Sequence, residues 1–199
     1  MQTKTTRRSN RERTETTRAE LIAAARRLFI EKGYAETATP DIVAEAGLTR
    51  GALYHHFPDK KALFQAVVER EAEAVEKEIE DASPETLGSR DALVKGGEAF
   101  LAAMAQPGRT RLLLLDGPAV LGRTEMDAID DRHATRSLKA GLVFAVRSGD
   151  LSKQLPIDAL TRLLSSAFDR AALAIDAGAE PAGYKAGLAA LIDGVLALE

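Results

Sequence analysis

The chain has no cysteine and no tryptophan, and aromatic residues make up only 5% of its 199 residues. Without cysteine, disulfides, thiol nucleophiles, Cys-based zinc sites and cysteine-ligated iron–sulfur clusters are excluded together. Strand-rich folds draw on Val, Ile, Thr, Tyr and Phe. This chain is dominated instead by Ala, Leu, Glu and Arg, so its composition leans helical. Long apolar runs are also missing: the longest strongly apolar stretches are about eight residues, against the roughly 20 that cross a bilayer. No apolar segment follows the basic start Met1–Arg8, so no signal peptide is expected and the protein is expected in the cytoplasm. With 45% apolar and 29% charged residues, the chain has material for a substantial core.

The net charge of −3 hides an asymmetry. Residues 1–60 carry eleven Lys/Arg against eight Asp/Glu, a net +3, and the remainder carries sixteen against twenty-two, a net −6. Six of the basic residues fall in the first eighteen: Lys4, Arg7, Arg8, Arg11, Arg13 and Arg18, facing only Glu12 and Glu15. A basic head on an acidic body fits a polyanion partner for the head alone, and fits equally a solvated tail.

Residues 1–13 are polar and aperiodic, and read as a flexible basic arm. Thr17-Arg18-Ala19-Glu20 has the pattern of a capping box, which places a helix start there or a turn earlier. Leu21, Ile22, Ala25, Leu28 and Phe29 form its buried face, and Gly33 is the left-handed residue expected to end it. Thr39 then Pro40 reads as an N-cap followed by proline in the first turn. Gly47 closes that short helix, and Thr49 caps the next, Arg50 to His56. Two helices of about eight residues joined by a glycine-containing turn make a helix-turn-helix, here within a segment of residues 14–60.

In such a motif the second helix enters the major groove of duplex DNA and its N-terminal residues meet base edges. Leu53 and Phe57, four apart, point inward and leave Arg50, Gly51, Ala52, Tyr54 and His55 on the outer surface. Arg50 suits a guanine, Gly51 and Ala52 permit close approach, and Tyr54 reaches a base or a phosphate. Thr39, Thr49, His55 and Lys60 stand at helix starts or edges, where hydroxyls and cations suit phosphates. Each has a plainer alternative: a cap, a solvated cation, or a ring covering the core. Adjacent His55 and His56 diverge on a helix and make no metal pair, and with His133 the third histidine of the chain, no metal and no cofactor are expected.

From about Arg18 to Phe64 the chain resembles the tetracycline-repressor (TetR) family of bacterial transcription regulators. The resemblance rests on Ala24-Ala25-Arg26-Arg27-Leu28-Phe29, Glu31-Lys32-Gly33-Tyr34, Thr39-Pro40-Asp41-Ile42-Val43 and the run Ala46 to Phe57 ending Leu-Tyr-His-His-Phe. Asp59-Lys60-Lys61-Ala62-Leu63-Phe64 completes it. It implies a homodimer that binds a palindromic double-stranded operator, with a helical C-terminal domain that binds a small-molecule effector and dimerises. By family position, Arg50, Gly51, Ala52 and Tyr54 face bases, and Thr39, Thr49, His55 and Lys60 face phosphates. Pro40 departs from relatives with a longer polar side chain there. The segment Asp116–Gly122 is similar to a subgroup that commonly follows its second glycine with tryptophan, where this chain has Arg123.

The remaining helices are expected at 59–81, 89–105, 109–116, 124–148, 156–177 and 181–198, giving an all-α chain of about nine helices with an effector-binding and dimerisation domain over 61–199. Asp116-Gly117-Pro118 lies between two helical segments, with a simple loop as its plainest reading, and lacks the Gly-Lys-Ser/Thr of a phosphate-binding loop. Candidate effector-pocket residues are Phe100, Met104, Leu113, Met126, Phe144 and Phe168, with Arg123 and His133 as the polar ones. The stripes containing Leu160, Leu164, Ala167 and Ala171, and Leu188, Leu191, Ile192 and Val195, are expected to form a four-helix bundle across a two-fold axis. Asp169 and Arg170 either pair across that axis or are simply exposed. The resulting expectation is a ligand-responsive repressor, in which effector binding tilts the long 59–81 helix and lowers DNA affinity. The alternatives are an activator, or a helical small-molecule carrier or enzyme. No nucleophile–base constellation or cofactor fingerprint in the sequence favours the enzyme.

Overall fold

The computed structural model describes residues 10–83 and 86–198. Among these the chain forms ten α-helices and one π-helical turn, and no strand. It divides into two compact units, one ending at Val67 and one beginning at Val68.

The first unit holds α1 (Asn10–Glu36), α2 (Thr39–Glu45), α3 (Arg50–His56) and the opening turns of α4 (Lys60–Ala82). Helix α1 begins before the capping box: Arg11 pairs with Glu15 at 3.0 Å across one turn, and the Thr16 hydroxyl donates back to the Glu12 carbonyl. These i,i+4 contacts carry the helix N-terminally past Thr17. Residues 10–13, expected in the flexible arm, are therefore helical, and residues 1–9 of that arm lie outside the described residues. Gly33 does interrupt α1, but at φ 83°, ψ 165°. That is a mirrored extended conformation, one that glycine adopts most readily, rather than the left-handed helical one expected.

The N-cap of α2 is Ala38, so Thr39 lies inside the helix and its hydroxyl is not a cap. The turn between α2 and α3 matches the expected one. Gly47 adopts φ +65°, its N–H donates to the Ala44 carbonyl, and the Leu48 N–H donates to that of Val43. This double bond pattern is a Schellman motif. Phe29, Tyr34 and Phe64 meet with ring centroids 5.0–5.7 Å apart, and Leu21, Ile42, Leu53 and Leu63 are fully buried. These contacts hold α3 as a short rigid rod with one buried face.

The second unit contains the rest of α4 together with α5 (Ser89–Met104), a π-helical turn (Arg111–Asp116), α6 (Gly117–Leu121), α7 (Arg123–Arg132), α8 (Ala134–Ser148), α9 (Ile157–Asp176) and α10 (Pro181–Leu196). Helices α5, α8 and α9 pack on one another, and α10 packs on α5 and α9. Asp116-Gly117-Pro118 is helical rather than a loop. Gly117 is required there because a Cβ would meet the Leu112 carbonyl and the Met126 sulfur at 2.9 Å.

The single helix expected over 124–148 is two, broken at His133 (φ −123°, ψ −109°). Side-chain anchors take hold at the break. His133 Nδ1 lies 2.8 Å from a Glu76 oxygen, Arg136 also binds Glu76, and the Thr135 hydroxyl binds Asp130. Arg109, itself buried, pairs with Glu71 at 3.0 Å and Glu78 at 2.9 Å. Among the described residues no helix is long and apolar enough to cross a membrane.

Candidate nucleic-acid interface and ligand cavity

Helix α3 presents Arg50, Gly51, Tyr54 and His55 to solvent, with Ala52 half-buried between them. Leu53 and Phe57 anchor its inner face, and Arg18 lies over the Phe57 ring at 5.2 Å. The Thr49 hydroxyl caps α3 by accepting from the Ala52 N–H at 3.2 Å. Tyr54 is 42% exposed, and the Arg50 guanidinium stands 5.5 Å from its ring centroid. Hydrogen bonds from Thr39, and then from Arg50, pull the Tyr54 phenol below its usual range. Thr39, Arg50 and Tyr54, read separately in the sequence, thus form one polar cluster. At Gly51 an added Cβ would meet nothing nearer than the Thr49 hydroxyl at 3.9 Å. The fold itself therefore does not require glycine at this position.

His55 and His56 stack edge to face at 5.2 Å. Burial, His55 and Arg18 together lower the His56 imidazole, so this side chain favours its neutral form. Lys60 departs from the expected phosphate-facing role. Its ammonium donates to the carbonyls of Tyr34 (2.8 Å), Thr37 (3.0 Å) and Ala35 (3.4 Å) and sits 4.3 Å from the Tyr34 ring centroid. All three N–H donors are directed at the end of α1. Unsatisfied carbonyls at a helix end attract a cation more locally than a distant phosphate does.

A cavity of about 790 Å³ opens in the second unit between the end of α4 and helices α5, α8 and α9. Phe100, Phe144 and Phe168 line it, as the sequence predicts, with Leu93 and Leu138. Five other expected residues do not. Met104 and Leu113 are core residues, and Met126 packs against Gly117. Arg123 is exposed near Asp169, and His133 is held by Glu76. Their apolar or polar character matched a pocket, but their helices turn them elsewhere. Sequence reasoning missed Ser137, Ser165, Gly97 and Gly141, and the mid-helix glycines were the available signal. A Cβ at Gly97 would strike the Phe168 ring at 2.5 Å, and one at Gly141 would strike Leu93 at 2.7 Å. These glycines let the cavity-wall helices approach closely.

Asp130 and Asp169, neither of them a lining residue of the cavity, are close enough to interact electrostatically. Burial, with some help from Asp130 and against Arg123, pushes the Asp169 carboxyl up to about 7. Burial also raises Asp130, against hydrogen bonds from Thr135 and Ser165. Arg170 is exposed. Across the pivot at His133, burial of Glu76 is outweighed by His133 and Arg136, and its carboxyl is lowered. Among the described residues no cluster of three or more metal-ligating side chains occurs.

The expected dimer face needs revision. Leu164, Ala171, Leu188 and Ile192 are buried within the subunit, and Leu160, Ala167 and Val195 are half-buried. The large apolar side chains that α9 and α10 leave in solvent are Leu163 (68% exposed), Leu191 (51%) and Tyr184. The richest apolar stripe of each helix faces its own core, and the exposed large apolar side chains lie beside it. Small residues Gly187, Ala190 and Gly194 surround Leu191 on α10.

Two family models match the chain: bacterial regulatory proteins of the tetR family over residues 21–67, and the tetracyclin repressor-like C-terminal domain over residues 90–197. The transcriptional regulator TtgR of Pseudomonas putida is 45% identical over 62 residues, covering 31% of this chain, and the chain spans about 30% of that protein's length. A crystal structure of a TetR-family transcriptional regulator from Pectobacterium atrosepticum is 32% identical. It aligns over 96% of this chain and 99% of its own, with a TM-score of 0.74. FadR of Bacillus subtilis, solved in complex with stearoyl-CoA, aligns over 91% of this chain and 99% of its own. At 16% identity and a TM-score of 0.76, it establishes likeness of fold.

Proposed function

Because the chain belongs to the TetR family of bacterial transcriptional regulators, we propose that it is a homodimeric repressor released from a palindromic operator by a small-molecule effector. The observation that carries this reading is the pairing of two built features in one chain. One is an exposed recognition helix bearing Arg50, Gly51, Ala52 and Tyr54; the other is a largely apolar cavity of about 790 Å³, a size typical of drug-like ligands.

On DNA, Arg50 forks to a guanine, Gly51 and Ala52 admit the base edges, and Tyr54, oriented by Thr39, reaches a base or a phosphate. Thr49 and His55 meet phosphates from the two ends of α3. The basic start of the chain adds counterion release, which makes binding steeply salt-dependent. Leu163 and Leu191 mark the face through which two copies associate. Helix α4 supplies Leu63 and Phe64 to the core of the first unit and Ile79 and Glu80 to the cavity wall in the second, so it is the covalent element through which occupancy is communicated. The bound stearoyl-CoA of FadR supports a ligand-holding role for this kind of fold.

The test is an anisotropy titration of the protein on DNA from upstream of its own gene. Sequence-selective binding that a cavity ligand reverses is the expected result, and binding that shows no preference over scrambled DNA would overturn the reading.

A further inference from the structure

The wall of the cavity specifies more than size. Three phenylalanines supply its flat surfaces, with Phe100 and Phe168 edge to face at 5.8 Å. Among the described residues no Lys, Arg or His lines the cavity, and the lone ionisable lining residue is Glu80. That carboxylate lies at the exposed edge, 3.9 Å from Arg136. An anion entering here would find no counter-charge among the described lining residues and would face Glu80; a cation would find that carboxylate mostly in water and near Arg136. Burying an unpaired charge is costly enough that neither belongs inside.

The polar groups in the wall are nearly all spoken for. The Ser83 hydroxyl donates to the Ala92 carbonyl at 3.2 Å, and that of Ser165 donates to Asp130 at 3.3 Å. The Ser137 hydroxyl differs: it is buried and has no hydrogen-bond partner. A buried hydroxyl without a partner carries a desolvation cost, and rotation about the Ser137 Cα–Cβ bond, which would turn the oxygen to the cavity, lets a ligand group remove it.

We infer that the effector is an uncharged molecule with an aromatic body seated on Phe100, Phe144 and Phe168 and one hydroxyl or carbonyl group paired with Ser137. This rests on the cavity being the effector site. Four probes sharing one scaffold separate the terms: biphenyl, para-hydroxybiphenyl, biphenyl para-carboxylate and para-aminomethylbiphenyl, titrated into the full-length protein near neutral pH by fluorescence and calorimetry. Hydroxybiphenyl should bind about ten-fold or more tighter than the carboxylate or the ammonium. Ser137→Ala should weaken hydroxybiphenyl by roughly three- to ten-fold and leave biphenyl unchanged, which also reports that the variant's cavity is intact.

Equal or tighter binding of either charged probe, absence of hydroxybiphenyl binding, or equal loss of both neutral probes in the variant would overturn the inference. A parallel DNA titration keeps the two readings apart. Binding in the expected order with operator DNA retained upholds the ligand class and sinks effector-driven release. DNA binding without any probe binding does the reverse to the ligand class.

Discussion

Arg50 and Lys60 are both basic residues of the helix-turn-helix unit, and the structure sets them in opposite surroundings. Arg50 stands in solvent beside Tyr54, so Arg50→Ala should relax specificity at one base pair per half-site, at roughly 1–3 kcal/mol. Competition against single-base operator variants reads this directly. A loss equal across all sequences would mean that Arg50 meets only backbone. Lys60 is committed to the carbonyls closing α1. Lys60→Ala should therefore lower folding stability, by about 1–3 kcal/mol, and leave the salt slope of DNA binding unchanged. A smaller slope at unchanged stability would return Lys60 to the phosphates.

Asp169 titrates with a sign opposite to that of a paired carboxylate. Its folded-state value is raised to about 7, so between roughly pH 4 and pH 7 the folded state holds more protons than the unfolded one. Stability consequently falls as pH rises through that window, by up to about 4 kcal/mol from this group. Asp169→Asn removes the titration. Chemical denaturation at pH 5 and pH 8 should show a flatter profile in the variant, with the gain over wild type larger at pH 8.

Helices that bury one face were legible in the sequence almost to the residue. The apolar spacing of Leu53 and Phe57 and the turn at Gly47 define α3 and its approach without further information. Where side chains reach across space, periodicity was silent. Nothing in residues 124–148 announces that His133 is held by Glu76, 57 residues earlier, or that the helix breaks at this residue. Likewise, α9 and α10 each carry two apolar faces, and the hydrophobic pattern ranks the core-facing one first because it is the larger. The glycines were readable only as tolerated breaks, whereas Gly97 is a packing contact. Gly97→Ala should overpack the α5–α9 contact and cost about 1–3 kcal/mol in thermal or urea unfolding. A neutral substitution would mean that the Phe168 ring moves aside freely.

For the whole molecule, the candidate site was legible in one half and not the other. The candidate DNA-facing residues cluster within some twenty consecutive positions, so local pattern suffices to nominate them. The cavity is assembled from four helices far apart in sequence, so residue type nominated Phe100, Phe144 and Phe168 and missed Ser137. Assembly is testable at the revised face: Leu191→Arg places a charge among Gly187, Ala190 and Gly194, and sedimentation should show a folded monomer. A stable dimer would place the interface elsewhere. Coupling is testable by reciprocity. Saturating operator must weaken effector binding by the same factor that effector weakens operator, typically 1–3 kcal/mol. Equal effector affinities with and without operator would sink the switch.

The three phenylalanines of the cavity are not equally free to change. Phe168 is buried against Gly97, and its loss would damage the helix packing itself. Phe144 is 42% exposed at the mouth, so shortening it removes little from the core while widening the entrance. Substitution at Phe144 can therefore reshape the entrance while the rest of the cavity wall stays in place. For the same reason Phe144 is where a designed biosensor would be diversified first.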